Sequence, residues 1–336
     1  MKGRLLVWFF AVIACMGMSS LAAEGPVAST SLEIVADYIF PNHEAVDASG
    51  FSPIAYGVVG GTLTQPRSVG SSWGGGELKA VIDHKLKFPF LVGGDALMNG
   101  NNITLDFLGE ISPVSINANF KASLTPIAFL SFEAGAGIGS GWDIGIIGLA
   151  VNNAGNMEPQ NFGGLVYRAW VAGTFQFDLA AVMPGEWNHV VLVASPKVQY
   201  QAYSNAGTDQ AWLWEADQGM NFNGFKLTGN YLLGYQMPIA LDLVGFLLQP
   251  EGWLGTVSGK STIANNGWGS DFTYLTFGPL FDFKIDDKST VAILPQFKTG
   301  IKWTDATAWN LYFGDRRYEA PYTYFYRVAF NFTLKL

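Results

Sequence analysis

At its C-terminus the chain alternates apolar and polar residues with period two. Tyr322, Tyr324, Tyr326, Val328, Phe330, Phe332, Leu334 and Leu336 fall on one face, and Thr323, Arg327, Asn331, Thr333 and Lys335 on the other. Only an extended strand puts every second side chain on the same side. The apolar face is too continuous and too aromatic to be left in water, so something must cover it. The pattern returns where Val291, Ile293, Phe297, Ile301 and Trp303 stand opposite Gln296, Lys298 and Lys302. It returns again where Leu165, Tyr167, Ala169, Val171, Phe175 and Phe177 oppose Arg168, Thr174, Gln176 and Asp178, with Trp170 interrupting the polar side.

Helices crossing a membrane would need runs of about 18 apolar residues. The nearest such run, 232–248, is broken by Gly234, Gln236, Pro238, Asp242 and Gly245. Read with period two, it becomes two strands around a Met237-Pro238 turn. A soluble β-sandwich would also alternate, but several of these segments run for about 11 to 16 residues. An ordinary strand has roughly five or six, and a tilted strand needs roughly 9 to 11 to cross a bilayer. The composition agrees, with 49% apolar, 15% aromatic and only 14% charged residues, where a soluble domain has about a quarter charged. The expected fold is therefore all-β, a transmembrane antiparallel β-barrel with lipid on its apolar face. Tyr322, Tyr324, Trp253, Trp268 and Trp303 near segment ends are expected to form interfacial girdles.

The N-terminus reads as an export leader over residues 1–23. Lys2 and Arg4 supply charge, Leu5 to Met18 the apolar stretch, and Ser20-Leu21-Ala22-Ala23 the cleavage zone, after Ala22 or Ala23. Val12-Ile13-Ala14-Cys15 also fits a lipobox, in which Cys15 would be lipidated. Cys15 is the single cysteine, so an ordinarily cleaved chain, residues 24–336 as one barrel domain, has no disulfide and no thiolate metal site. The full chain carries a net charge of −8, which becomes −10 once Lys2 and Arg4 are removed. No basic footprint for nucleic acid remains.

The leader, the cysteine-free aromatic-rich body and the last strand, Phe330-Asn331-Phe332-Thr333-Leu334-Lys335-Leu336, resemble a bacterial outer-membrane β-barrel protein, porin-like in kind. Leu336 stands where that family most often ends in Phe. The resemblance implies an outer-membrane location, a lipid surround, and recognition of the C-terminal strand by a barrel-assembly machinery. It brings no site residues.

Counting back from the C-terminus gives strands near 321–336, 289–304, 270–285, 239–250, 222–236, 188–203 and 163–178. Weaker ones lie near 144–151, 127–139, 114–124, 102–111, 76–88, 54–64 and 31–40. The total is about fourteen, with twelve as the alternative, and an even number puts both termini at one end. In the fourteen-strand count Asp286-Asp287-Lys288, Met237-Pro238 and Ser112-Pro113 turn at the terminal end, and the tight connection at 123–127 is placed at the opposite end.

No residue pattern assigns a reaction. His43, His84 and His189 sit in no catalytic signature. Gly74-Gly75-Gly76 and the glycines of 135–141 lack the Lys and Ser or Thr of a P-loop, and Asp286-Asp287 reads as a charged turn rather than a metal site. No catalytic residue, cofactor or metal is assigned. The constellation carried forward is the lumen set: Lys79, Asp83, Lys85, Asp106, Glu110, Lys121, Glu133, Arg168, Lys226, Asp242, Lys298, Lys302 and Arg327. A Lys or Arg facing lipid at midplane costs about 2–4 kcal/mol, so these side chains should point inward. There they either tune a pore or pair with one another across a filled interior. Residues 204–221, with Trp212 and Trp214, are expected to form an exposed contact loop. The expected function is passive diffusion of small solutes. Its alternatives are a non-conducting barrel whose loops bind a partner, and a hydrophobic-solute channel or lipid-acting barrel enzyme.

Overall fold

The computed structural model describes residues 26–39, 57–59, 62–65, 75–144, 148–153, 156–207, 210, 212–215, 221–254, 271–304 and 317–336. The expected leader with Cys15, His43, Trp268, and the side chains of Lys302 and Trp303 lie outside the described residues.

Twelve antiparallel strands close into a barrel. In chain order they are β1 (Val27–Ile39), β4 (Gly75–Pro89), β5 (Asn102–Ser112), β6 (Ser115–Ile127), β7 (Leu130–Gly141), β10 (Val166–Asp178), β11 (His189–Tyr203), β13 (Gly224–Gln236), β14 (Leu241–Trp253), β15 (Tyr274–Lys284), β16 (Ser289–Thr304) and β17 (Arg317–Lys335). Each strand pairs with its neighbour in sequence among these twelve, and β1 closes the ring on β17, from Ser31 opposite Lys335 to Ile39 opposite Arg327. The shortest has 11 residues. At about 3.3 Å per residue and a tilt of roughly 40°, that is enough for an apolar band about 25 Å tall.

The strand count is the twelve-strand alternative, and the two surplus assignments have a common cause. The segment near 54–64 is the small hairpin of β2 (Gly57–Val59) and β3 (Thr62–Gln65). The segment near 144–151 contributes β8 (Ala150–Asn153), which with β9 (Asn156–Pro159) and β12 (Trp212–Leu213) forms a three-stranded sheet in the loops. Strands of two to four residues are far too short to span. Removing both inverts β4 to β7 relative to the fourteen-strand reading. The Ser112–Ser115 turn therefore lies at the end opposite the termini, and the short β6–β7 turn at the terminal end.

The outer face is apolar all round. Ile82, Phe107, Ile138, Val171, Leu233 and Phe246, on six different strands, are each about half exposed. Phe246, Phe277, Phe297 and Phe325 run as a ladder of rings across β14 to β17, with centroids 6.1, 5.9 and 5.2 Å apart. An exposed apolar surface circling the molecule is far larger than a water-soluble monomer carries.

On β17 the period-two reading slips. The register shift opposite Gln296 and Phe297 pairs Arg327 with Gln296 but Phe325 with Phe297, leaving Tyr326 as the extra residue of a bulge. Phe325 therefore joins the outer ladder, while Tyr324 pairs with Lys298 and Tyr326 lines the interior. Trp253 lines the interior as well. Tyr324 and Trp253 therefore do not belong to an interfacial girdle.

Candidate functional site

The interior wall divides into two unlike halves. On β4 to β7, alternation turns Lys79, Asp83, Lys85, Asp106, Glu110, Lys121 and Glu133 inward; Asp83, Lys85, Asp106, Lys121 and Glu133 join into one chain of ion pairs, and Lys79 and Glu110 form a separate pair. Lys85 Nζ lies 2.9 Å from Asp83 and 4.0 Å from Asp106. Lys121 Nζ bridges Asp106 at 3.6 Å and Glu133 at 3.5 Å, and Lys79 Nζ lies 3.8 Å from Glu110. Neighbouring strands bring these residues face to face: Lys85 opposes Asp106, which opposes Lys121. Arg327, on β17, donates to Asp37 on β1 at 2.5 Å and to Gln296 Oε1 at 2.7 Å.

The glycines of β7 explain how this wall packs. Gly135, Gly137, Gly139 and Gly141 are interior positions opposite Lys121, Asn119, Asn117 and Ser115. A Cβ on Gly137 or Gly139 would stand 2.0 Å from the side-chain oxygen of Asn119 or Asn117, and one on Gly135 would stand 2.3 Å from the Trp170 ring. The stripe is a recess in which those side chains lie against the wall. Trp170, the residue that interrupts the polar pattern of its strand, points inward, and its Nε1–H donates to Glu133 at 2.6 Å.

Across the lumen, β10 to β17 carry cations set against rings. Lys197 Nζ lies 5.9 Å from the Trp170 ring, and Lys226 Nζ 5.4 Å from Trp253. Lys298 Nζ lies 4.8 Å from Tyr326 and 5.6 Å from Tyr274. Lys226 is also paired with Glu251 at 2.6 Å. Among the described residues, Lys197, Lys298 and Arg168 have no carboxylate within 4.0 Å. Arg168 instead donates from Nη2 to Asn117 Oδ1 at 3.1 Å. Asp242 stands apart near the terminal end, accepting from Gln236 Nε2 at 3.2 Å.

The connection between β11 and β13 corrects the expected contact loop. Trp212 and Trp214 are only 1% and 9% exposed. They pack with Leu149, Val151, Val166, Tyr203 and Ala206 in an apolar cluster, and Trp212 Nε1 donates to Asn223 at 3.1 Å. The physical reason is the β8–β9 hairpin, which offers Trp212 and Leu213 a strand to pair with and an apolar face to cover. The chain then turns inward at Glu215, whose φ of 57° is in the left-handed region. The Glu215 carboxylate reaches the far wall, 3.0 Å from Lys79 Nζ, accepting from Ser115 Oγ at 2.5 Å and from Asn117 Nδ2 at 3.3 Å. Among the described residues, the walls and this loop enclose a cavity of about 670 Å³. It is lined by the cation-and-ring wall, Glu77 and Glu133, and, from the inward loop, Trp214, Glu215, Asn221 and Phe222.

Glu215, Asp37, Glu77, Lys197 and Glu251 are not among the candidate residues read from sequence, where Trp170 and Tyr326 stand only as members of the strand pattern. Lys197 and Glu77 carry the same alternation signal as the rest of the lumen set. Glu251 lies just past the expected strand end, and nothing local distinguishes Glu215.

Two histidines have defined surroundings. His84 stands on the outer face opposite Phe107, its Nδ1 2.9 Å from Thr30 Oγ1. His189 Nδ1 lies 2.7 Å from Asp178 at the terminal end. The carboxylates of the Asp286-Asp287 turn are tied locally. Backbone N–H groups of Lys288 and Ser289 hold Asp286 below the usual carboxylate range, and the Lys284 ammonium does the same for Asp287.

No family model matches the chain, and no curated protein matches it. Among solved structures it is similar to a KdgM porin, at 10% identity and a TM-score of 0.37, covering 91% of this chain and 99% of that one. It is similar to the translocator domain of the autotransporter NalP from Neisseria meningitidis, at 9% identity and a TM-score of 0.33, covering 100% and 98%. It is also similar to an anion-selective porin from Comamonas acidovorans, at 7% identity and a TM-score of 0.31, covering 93% and 99%.

Proposed function

We propose that this chain is an outer-membrane channel for passive diffusion of small solutes, narrowed by its own inward loop. One observation carries the reading: a closed barrel with an apolar outside and a charged inside keeps a polar cavity of about 670 Å³ with the loop folded in. A barrel needing only to stand in lipid would gain more by packing that space. The leader exports the chain, with the mature protein starting after Ala22 or Ala23. The terminal end faces the periplasm, and the last strand is the segment offered to the assembly machinery. The inward set, with both signs paired along β4 to β7, lines the path rather than blocking it.

The test is single-channel recording on the detergent-extracted protein in planar bilayers. Twelve strands enclose more than eight, whose interior side chains fill, and less than the sixteen of open porins. The expected result is a small, discrete conductance. Correctly folded barrels that insert and pass no current would reject the channel. A second reading, a barrel shut by the loop until something displaces it, is favoured by the tether of Glu215 across the lumen. In that case current appears only when the tether is cut.

A further inference from the structure

Resting on the channel reading, we propose that the lumen holds a binding site for a small carboxylate carried on a ring, seated between Lys197 and Lys298 and against the rings beside them. Charge bookkeeping within the cavity comes first. Four carboxylates line it, and each has a cation or a donor at hand: Glu133 has Lys121 and Trp170, Glu215 has Lys79, Glu251 has Lys226, and Glu77 has Arg327 at 4.0 Å. Lys197 and Lys298 are the cavity cations left without a carboxylate among the described residues, and their ammonium groups rest on π faces instead. A cation on a ring is held in place but not neutralised, so it keeps its attraction for an anion. Removing water from the narrow lumen strengthens that attraction.

The second argument is shape. Tyr274 and Tyr326 line the same cavity beside Lys298, and Trp253 lines it beside Lys226, so flat ring surfaces border the site. Toward the terminal end the wall becomes aliphatic. Leu247, two residues from cavity-lining Gln249 and on the same face, pairs with Leu232, which pairs with Val193. Leu294 continues the patch opposite Ala329. A simple inorganic anion gains nothing from that surface, whereas an anion with an apolar ring face uses both parts. Thr174, Ser195 and Asn230, which also line the cavity, can hydrogen-bond a hydroxylated ring. The shared chemistry, a carboxylate on a ring, therefore covers aromatic acids and acidic sugars alike.

The test uses the full protein in planar bilayers and in detergent. Benzoate, glucuronate and acetate are each added to one side, and benzoate binding is also followed by calorimetry on the folded protein. The expected result is current block by a ring acid at concentrations on the order of 10 mM, at least about tenfold below the acetate concentration needed. Block by benzoate alone assigns an aromatic ligand, and block by glucuronate an acidic sugar. The Lys197→Gln/Lys298→Gln double variant should lose the block and the calorimetric signal by about tenfold or more, and Lys298→Arg should keep both. Current that no ring acid blocks better than acetate, or block unchanged in the double variant, overturns the site and leaves the channel standing. Absence of current rejects the channel alone, since calorimetry then decides the site by the same comparison.

Discussion

The contact that most deserves perturbing is Glu215, because one carboxylate holds the inward loop to the opposite wall. At the observed 3.0 Å from Lys79, and an effective dielectric constant of about 20, the bare attraction is roughly 5 kcal/mol. That is an upper figure, since the side chains keep 20% and 30% of their exposure and lose rotamer freedom when ordered. A net contribution of about 2–3 kcal/mol for the charged cluster with Ser115 and Asn117 is the better scale. Against it stands about 1 kcal/mol for holding a non-glycine residue at φ 57°. Glu215→Ala removes all three bonds but keeps most of the backbone cost, so the detached population of this segment should rise about 30- to 150-fold. Because Cys15 is the single cysteine and lies within the proposed leader, a single Ala206→Cys marker reports the change. Ala206 is 9% exposed within the Trp212 cluster, and its thiol should react faster by that factor in Glu215→Ala. Glu215→Gln should fall between, since it keeps an acceptor for Ser115 while losing the charge. Single-channel conductance should rise or flicker in the same order. Equal labelling rates and identical conductance in all three proteins would show that the apolar cluster alone holds the loop and that the tether carries nothing.

Other outcomes follow from packing and pairing. Gly278→Ala places a Cβ 2.0 Å from the backbone carbonyl of Pro295, whereas a Cβ at Gly109 meets nothing within 4 Å. The first should destabilise the barrel by about 1–3 kcal/mol in urea titrations and the second by almost nothing. Trp170→Phe removes the 2.6 Å bond to Glu133 and should cost about 1.5–3 kcal/mol by the same titration; no loss would mean Lys121 alone satisfies that carboxylate. Deleting residues 330–336 removes the β17 segment paired with both β1 and β16. Each backbone group left open in lipid costs several kcal/mol, so the truncated chain should show no heat-modifiable folded form in membranes.

Much of the architecture was legible because it is written in a local period. Residues two apart share a face whatever the rest of the chain does, and so the strand at 289–304 and the inward direction of Lys79, Lys85, Lys121 and Lys298 can be read residue by residue. The number of strands was not readable in the same way. Residues 144–151 are as apolar in sequence as a barrel strand, and only pairing partners separate a four-residue loop strand from one that crosses the wall. Tyr324 and Tyr326 show the same limit at finer scale. One bulge opposite Gln296 turns them from the expected lipid face into the lumen, and a bulge is a relation between two strands. The candidate site depended most on tertiary structure. Glu215 gains its meaning from Lys79 and Ser115, 136 and 100 residues away, and Lys197 and Lys298 become conspicuous only once every other cavity charge is seen to have a partner. Strand periodicity is set by backbone geometry within a few residues, whereas charge balance and loop placement are set by which walls the closed ring brings face to face.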